Sequence, residues 1–332
     1  MRFLMDKDKI ISLLDGTADD WLFGEALRLR NQTIGDKVYL RGLIELSNRC
    51  RKNCFYCGIR CDNHNVERYE LTKEQVVTAA KYALEHGYGS VVLQAGEQQS
   101  NRFTDFVTDL LSEIKELSQG KLGITLSLGE QSEATYEKWF AAGAHRYLLR
   151  IESSSEDVYK RIHPEDHSFA TRLGCLSSLK EIGYQVGTGV MIGLPEQTTE
   201  SLADDLLFLK NFDVDMCGMG PYIEHPDAPL GKSQTPLEER FRLALRMISL
   251  LRLLMPTINI ASTTALQAIN PLGREMGIAA GANIIMPNIT PSFLRANYKL
   301  YNNKPLSDID LSGFDVAYNE WGDSRHYALR SN

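Results

Sequence analysis

Arg41-Gly-Leu-Ile-Glu-Leu-Ser47-Asn-Arg-Cys50-Arg-Lys-Asn-Cys54-Phe-Tyr-Cys57-Gly-Ile-Arg60 joins a short apolar run to a loop bearing three cysteines. Their spacing is Cys-x3-Cys-x2-Cys, with an aromatic residue just before the third. The run Arg41–Ser47 has the length and composition of a strand. It enters the loop without an intervening turn signal, so the thiols belong to the strand's C-terminal end.

Working outward, strands and helices alternate. An N-terminal helical stretch ends near Gly35, and Thr72 caps an amphipathic helix running to Gly87, with Glu74 and Gln75 in its first turn. Further strands are expected at Ser90–Gln94, Ile124–Leu128, Arg146–Ile151, Gln185–Ile192, Val214–Gly218, Thr257–Ala261 and Asn283–Met286. Helices fall between them at Arg102–Ser118, Ser132–Ala142, Glu156–Ile162, Phe169–Ile182, Thr199–Asn211, Pro236–Leu254 and Gly273–Ala280, with a short one over Pro291–Tyr301. Strands separated by helices pair in parallel, and eight such units predict an α/β fold, a (βα)8 TIM-type barrel. The expected organisation is an N-terminal helical extension over 1–36, the barrel over 37–301 and a short polar C-terminal tail over 302–332. Barrels of this kind carry their chemistry on the loops that follow strands, which is where the cysteine loop falls.

The bulk numbers narrow the function. The 332 residues carry a formal net charge of −7, and no block of Lys and Arg gathers on one segment, so a nucleic-acid surface is disfavoured. Charges arrive by Asp6, before a signal-peptide core forms. No apolar run reaches the ~18 residues that span a bilayer, and Met247–Met255 is interrupted by Arg252. A cytoplasmic protein without membrane contact is expected. Disulfides are not expected there, so the four cysteines between Cys50 and Cys61 point to metal or redox chemistry. Cys175 and Cys217 stand alone in apolar surroundings and read as core thiols.

Thiolates are soft ligands for iron–sulfur clusters or zinc. Three cysteines on one loop can hold three irons of a cubane and leave the fourth without a protein ligand. The alternative is a zinc knuckle on Cys50, Cys54, Cys57 and Cys61, although four-thiolate zinc usually shows two separated cysteine pairs. Cys61 as a fourth ligand would close the cluster.

Cys-x3-Cys-x-aromatic-Cys on the loop after the first barrel strand resembles the signature of the radical S-adenosylmethionine (SAM) enzymes. Ala95-Gly96-Glu97, after the second strand, is similar to that family's Gly-Gly-Glu turn, whose backbone receives the SAM amino group. Gly189-Val-Met-Ile-Gly193-Leu-Pro-Glu196, after the fifth, looks like its adenine-contacting motif. Within that family the chain resembles the HydE branch of hydrogenase maturases. The likeness runs from about Val38 to Tyr301, in Asn48–Arg60, Val92–Glu97, Thr125–Glu130, Tyr147–Glu152, Gly218–Asp227, Thr263–Ala265 and Met286–Pro291. Two departures stand out. Some members of that branch carry a second cluster on C-terminal cysteines, and here no cysteine follows Cys217; position 196 is Glu where the branch has Gly.

The resemblance implies a [4Fe–4S] cluster on Cys50, Cys54 and Cys57, with SAM as second cofactor. It places SAM among Tyr56, Gln94, Ala95, Gly96, Glu97, Thr125, Ser127, Glu152, Arg172 and Met191. Of these, Arg172 suits the SAM carboxylate through its planar fork, and Glu152 suits the amino group or ribose. Gln94, Thr125, Ser127 and Met191 are expected to end strands and face the mouth. A plainer reading makes Arg172 a solvated helix arginine and Glu152 and Ser127 helix caps. Arg150, Thr263, Thr264 and Tyr298 look like the pocket for a carboxylate-bearing small molecule, where strand filling and helix packing are the plainer readings of the threonines and of Tyr298. His225 has no assigned role.

By the same resemblance, a low-potential donor reduces the cluster and SAM is cleaved to methionine and a 5′-deoxyadenosyl radical. The substrate implied is a cysteine-ligated Fe(CO)2(CN) complex made by the maturase HydG, the product passes to the scaffold HydF, and the host is anaerobic. The alternatives within the family are a biotin-synthase-like or methylornithine-synthase-like enzyme on the same barrel, or a HydE-like paralogue, acting on another small molecule; the first needs a second cluster, for which no ligand set is evident. Outside enzymes, the alternative is a metal or iron–sulfur binding module without turnover.

Overall fold

The computed structural model describes residues 5–306 and 309–322. Two helices open the chain, α1 (Lys7–Leu14) and α2 (Asp19–Thr33). Asp6 caps α1 by accepting from the Lys9 N–H at 2.9 Å, and Leu13, Leu14, Leu22 and Ala26 are buried. Eight strands follow: β1 (Val38–Ser47), β2 (Ser90–Ala95), β3 (Gly123–Ser127), β4 (Arg146–Leu148), β5 (Gln185–Thr188), β6 (Met216–Cys217), β7 (Asn259–Ile260) and β8 (Ile284–Ile285). All neighbours are parallel in the order β8-β1-β2-β3-β4-β5-β6-β7. An Ala261–Ile284 bridge joins β7 to β8 and closes the ring. The expected barrel is therefore the observed architecture, with helices between strands covering its outer face.

The helices begin where the capping residues are. Thr72 and Gln75 form a reciprocal capping box at the start of α3 (Lys73–Glu85), and Ser100, Ser132 and Ser168 cap α4 (Asn101–Ser118), α5 (Glu133–Ala141) and α7 (Phe169–Ile182). Between α5 and α7 lies α6 (Glu156–Ile162).

Three elements differ from expectation for identifiable reasons. The strand expected over Gln185–Ile192 divides, and Met191–Ile192 instead pairs with Gly220–Pro221 above the ring. At the division Gly189 and Gly218 are pressed together: a Cβ on Gly189 would lie 1.9 Å from the Gly218 carbonyl oxygen. The last helix shrinks to Ser292–Arg295, because beyond it Asn48 and Lys304 take the carbonyls of Asn297 and Tyr298 at 2.6 and 2.7 Å. Thr264–Ile269 forms a helix of its own, separated from Gly273–Ala279 by a break at Asn270-Pro271. Part of the tail packs on the barrel. Val316–Ala317 pairs with β1 in parallel, Trp321 stacks on His145 with centroids 4.7 Å apart, and the buried Lys304 ammonium pairs with Glu45 inside the ring.

Register places polar side chains at one level. Glu45 of β1 stands beside Gln94 of β2, which stands beside Ser127 of β3. Glu45 is buried and also accepts from Asn288 Nδ2 at 3.0 Å. Cys217 is fully buried in β6, as expected, and burial pushes its thiol up to about 12.

Two positions outside the site give stability predictions. Asp205, on α8 (Thr199–Phe212), accepts through Oδ1 from the Ser154 N–H at 2.6 Å and the Ser154 hydroxyl at 2.7 Å, while Oδ2 is buried without a partner. Burial pushes this carboxyl up to about 7 from an ordinary 3.8. The folded state therefore holds a proton that the unfolded chain has released, and stability falls between about pH 4 and pH 7, by on the order of 3 kcal/mol. Relative to Asp205→Asn, the wild type should lose several degrees of Tm between pH 5 and pH 8. A constant gap between the two melting curves would contradict this. Glu196 adopts a left-handed φ of 58°, and its pairing with Arg161, 3.6 Å away, is exposed. Glu196→Gly should therefore stabilise by about 0.5–1 kcal/mol, read as a higher Tm.

Candidate active site

The cysteine loop is fastened from beneath. Asn48 is fully buried; its Nδ2 donates to the carbonyls of Glu67 and Asn297 at 2.7 and 2.6 Å, and its Oδ1 accepts from the Tyr69 N–H at 2.8 Å. Arg68 satisfies the loop's own carbonyls, donating to Ile59 at 2.8 Å and to Arg60 at 2.6 Å. The turn after β2 is stitched to the same loop: the Arg51 N–H donates to the Glu97 carbonyl at 2.9 Å, and the Gly96 N–H to the Ser47 carbonyl at 3.0 Å. A Cβ on Gly96 would lie 2.4 Å from the Arg49 carbonyl oxygen and 2.7 Å from Cys50 Cβ. Only glycine fits there.

Cys50, Cys54 and Cys57 are free and half-buried, whereas Cys61 is exposed. Burial raises the pKa of all three, Cys54 up to about 12; the charge of Cys50 further opposes ionisation of Cys54, and those of Cys54 and Cys50 oppose that of Cys57. Thiols arranged this way are costly to ionise without a cation to take their charge.

Beside them lies a buried ion network. Arg172 Nε donates to Glu130 at 2.7 Å, Nη1 donates to the Arg150 carbonyl, and the guanidinium stands 5.8 Å from the Tyr159 ring. Nη2 makes no hydrogen bond to the described residues. Lys52 Nζ reaches the other Glu130 oxygen at 2.7 Å and lies 3.8 Å from Glu97. Burial works against the charge of Glu130, but Arg172 and Lys52 outweigh it and hold the carboxyl low. Burial raises Glu97, whose Oε2 accepts from the Glu130 N–H at 2.8 Å and whose Oε1 has no hydrogen-bond partner. Arg172 is thus no solvated helix arginine.

The remaining expected residues divide. Glu152, with a left-handed φ of 64°, accepts from Arg150 Nε at 3.1 Å, and its carbonyl accepts from the Met191 N–H at 2.9 Å. Tyr56 and Met191 pack on one apolar cluster with Val158, Ile162, Leu194 and Tyr222. Ala95 ends β2 opposite Ser47, next to the glycine turn. Gln94 and Ser127 are neighbours in register and partly exposed. Thr125 departs from expectation. It sits mid-strand in β3, fully buried with an unpartnered hydroxyl, because the alternation that puts Ser127 at the rim puts Thr125 one level deeper.

On the far side, Thr264 Oγ1 and the Tyr301 hydroxyl are 2.7 Å apart, and Thr263 donates to the Met219 carbonyl at 3.4 Å. Tyr298 is buried, with the Lys304 ammonium 4.8 Å from its ring centroid. Sequence reading missed Lys52, Glu130, His163, His167 and Lys304. Glu130 and Lys52 lay within motif stretches, but nothing in the sequence signalled their pairing.

By distance alone, Cys54, His163 and His167 could hold a mononuclear ion, since one ligand atom from each lies within 4.8 Å of the others. Hydrogen bonding argues otherwise. His163 Nδ1 donates to the Tyr159 carbonyl at 2.9 Å, leaving Nε2 to accept from the Tyr56 hydroxyl at 3.5 Å. His167 Nε2 accepts from the Asn53 N–H at 3.5 Å. Both ring lone pairs are engaged. Burial lowers the two imidazoles to about 3 and about 4, so they are neutral.

A cysteine loop after the first strand of a parallel barrel, a glycine turn pressed against it and a buried cation with an open donor define a class. The family model described as the radical SAM superfamily matches residues 44–209, and the chain belongs to that superfamily as an enzyme. More narrowly, it belongs with the HydE maturases: it is 47% identical to the [FeFe] hydrogenase maturase subunit HydE of Thermotoga maritima, over 89% of this chain and 82% of that protein. It is also 27% identical to the 3-methylornithine synthase of Methanosarcina acetivorans, over 87% of this chain and 81% of that one. Among solved structures, methylornithine synthase superposes with a TM-score of 0.76 at 25% identity, covering 86% of this chain and 82% of the other. The maturase HydG from Carboxydothermus hydrogenoformans superposes at 0.74 with 21% identity, covering 85% and 67%, and speaks for the fold.

Membership implies an iron–sulfur cluster and SAM. The residues present fit both. Three half-buried thiols are the soft donor set a cluster needs, and Arg172 Nη2 is an open donor where a carboxylate would be received. No helix among the described residues is long and apolar enough to cross a membrane.

Proposed function

We propose that this chain is the HydE-type maturase of an [FeFe]-hydrogenase, built around a [4Fe–4S] cluster on Cys50, Cys54 and Cys57. When bound, such a cluster offers one iron free of protein ligands to SAM and delivers the electron that releases methionine and a 5′-deoxyadenosyl radical. The observation that carries this reading is the pairing of three half-buried thiols with a neighbouring buried guanidinium, in a chain 47% identical to HydE.

The roles of the chain's own residues follow. Arg172 Nη2 binds the SAM carboxylate while Glu130 and Lys52 hold the fork in place. The backbone of Ala95, Gly96 and Glu97 receives the amino group, and Glu152 takes amino or ribose donors. Tyr56 and Met191 cover the adenine from the apolar side. Gln94 and Ser127 line the rim. Across the mouth, Arg150, Thr263, Thr264 and Tyr298 hold the carboxylate of a cysteine-ligated Fe(CO)2(CN) substrate. The barrel over 37–301 is the catalytic unit, with 1–36 and 302–332 as extensions. HydG, HydF and a low-potential electron donor are the partners of this reading, in the cytoplasm of an anaerobic host.

The anaerobically reconstituted protein with dithionite and SAM should release 5′-deoxyadenosine, and should restore hydrogenase activity to a maturation mixture lacking only HydE. A fully loaded protein that releases none is a binding module. Turnover with formation of 3-methylornithine, and no maturation, would move the chain to the other branch.

A further inference from the structure

We propose that His167 is a positioning residue that raises the reduction potential of the cluster through an N–H···S hydrogen bond to Cys54. The inference rests on the cluster assigned above to Cys50, Cys54 and Cys57.

The connection between α6 and α7, residues 163–168, folds over the cysteine loop. The Phe55 N–H donates to the Ile162 carbonyl at 3.0 Å, and the His167 N–H closes a turn on the Pro164 carbonyl at 3.0 Å. Within this connection the imidazole of His167 is caught between two groups of the cysteine loop. The Asn53 N–H lies 3.5 Å from Nε2, and Cys54 Sγ lies 3.9 Å from Nδ1.

A backbone N–H can only donate, so Nε2 is the acceptor. A neutral imidazole with one nitrogen accepting carries its proton on the other. That proton is on Nδ1 and faces the sulfur. The exposed Asp166 carboxylate stands 3.7 Å from Nε2, beyond hydrogen-bond reach. The ring's side chain is only 2% exposed and packs against His163 with centroids 5.6 Å apart, so bulk water does not compete for the donor.

The other two cysteines are served differently. Backbone N–H groups face them, that of Lys52 toward Cys50 and that of Ile59 toward Cys57. Cys54 is faced by the Tyr56 hydroxyl and is the thiol within reach of an imidazole donor. Hydrogen bonds to cluster sulfurs favour the reduced form, because reduction adds electron density to sulfur. His167 thereby makes the first electron easier to accept.

The test is a redox titration of the reconstituted protein, followed by electron paramagnetic resonance. His167→Phe keeps a ring and removes the donor. At a fixed potential its reduced-to-oxidised ratio should fall roughly threefold to tenfold, tenfold being about 59 mV for one electron. His167→Asn, whose amide donates from near the Nδ1 position, should recover most of the loss. A phenylalanine variant at the wild-type potential overturns the proposal. So does an asparagine variant shifted as far as the phenylalanine one, which would mean that the ring acts by packing. Should the variants fail to load, wild-type protein grown on 15N-histidine decides: the reduced cluster should show a histidine coupling, and its absence overturns the proposal. A wild type that binds no cluster would instead sink the underlying assignment.

Discussion

Cys54→Ala should abolish SAM cleavage and leave the protein without a stable cluster. The other two ligand cysteines should behave alike. All three thiols are half-buried, and burial already holds each above its ordinary pKa. Removing one leaves the remaining pair too few to hold three irons. Losses in the second sphere of a metal site cost about 10–100-fold, and loss of a thiolate ligand should exceed that, taking 5′-deoxyadenosine release to background. The matched control is Cys61→Ser. Cys61 is exposed, so iron and sulfide content and turnover should stay within about twofold of wild type, the small effect expected of a surface change. Iron analysis and the product assay on the four variants read both halves of the prediction. Wild-type turnover by Cys54→Ala, or loss of the cluster in Cys61→Ser, would contradict it.

The next largest effect belongs to Arg172. Its Nε is committed to Glu130 at 2.7 Å and Nη1 to the Arg150 carbonyl, which fixes the plane of the guanidinium. Lysine keeps the charge and loses the fork. Arg172→Lys should therefore retain its cluster but bind SAM about 10–100-fold more weakly, read by titration calorimetry on the loaded protein. Arg172→Leu should be worse in a second way. It strands Glu130 with Lys52 as its remaining cation, and breaking a buried pair costs about 3–5 kcal/mol, visible as a large drop in Tm. SAM affinity unchanged in Arg172→Lys would remove this residue from the SAM site.

The barrel was legible because its signals are local and periodic. Capping serines and threonines marked helix starts, and α6 and α7 fall where the sequence placed them. Strand ends were less legible. The split after Thr188 depends on Gly189 meeting Gly218, two residues brought together only by the closed ring. The cysteines and Gly96 were readable because spacing alone carries their chemistry. Lys52, Glu130 and Arg172 were not readable as a unit, since their pairing joins the loops after β1 and β3 to α7. Thr125 was placed at the rim because a strand's register against its neighbours cannot be read from that strand alone. Lys304 was overlooked for a related reason: a polar tail gives no sign that one ammonium turns inward to meet Glu45.

The central claim is that three thiolates hold a cluster and leave one iron open to SAM. Electron–nuclear double resonance on the reduced, SAM-loaded protein tests it most directly, using SAM labelled with 15N at the amino group and 17O at the carboxylate. Both labels should couple to the cluster. Absence of both couplings at full cluster loading, a zinc ion in place of iron, or a fourth thiolate from Cys61 on that iron would contradict the account.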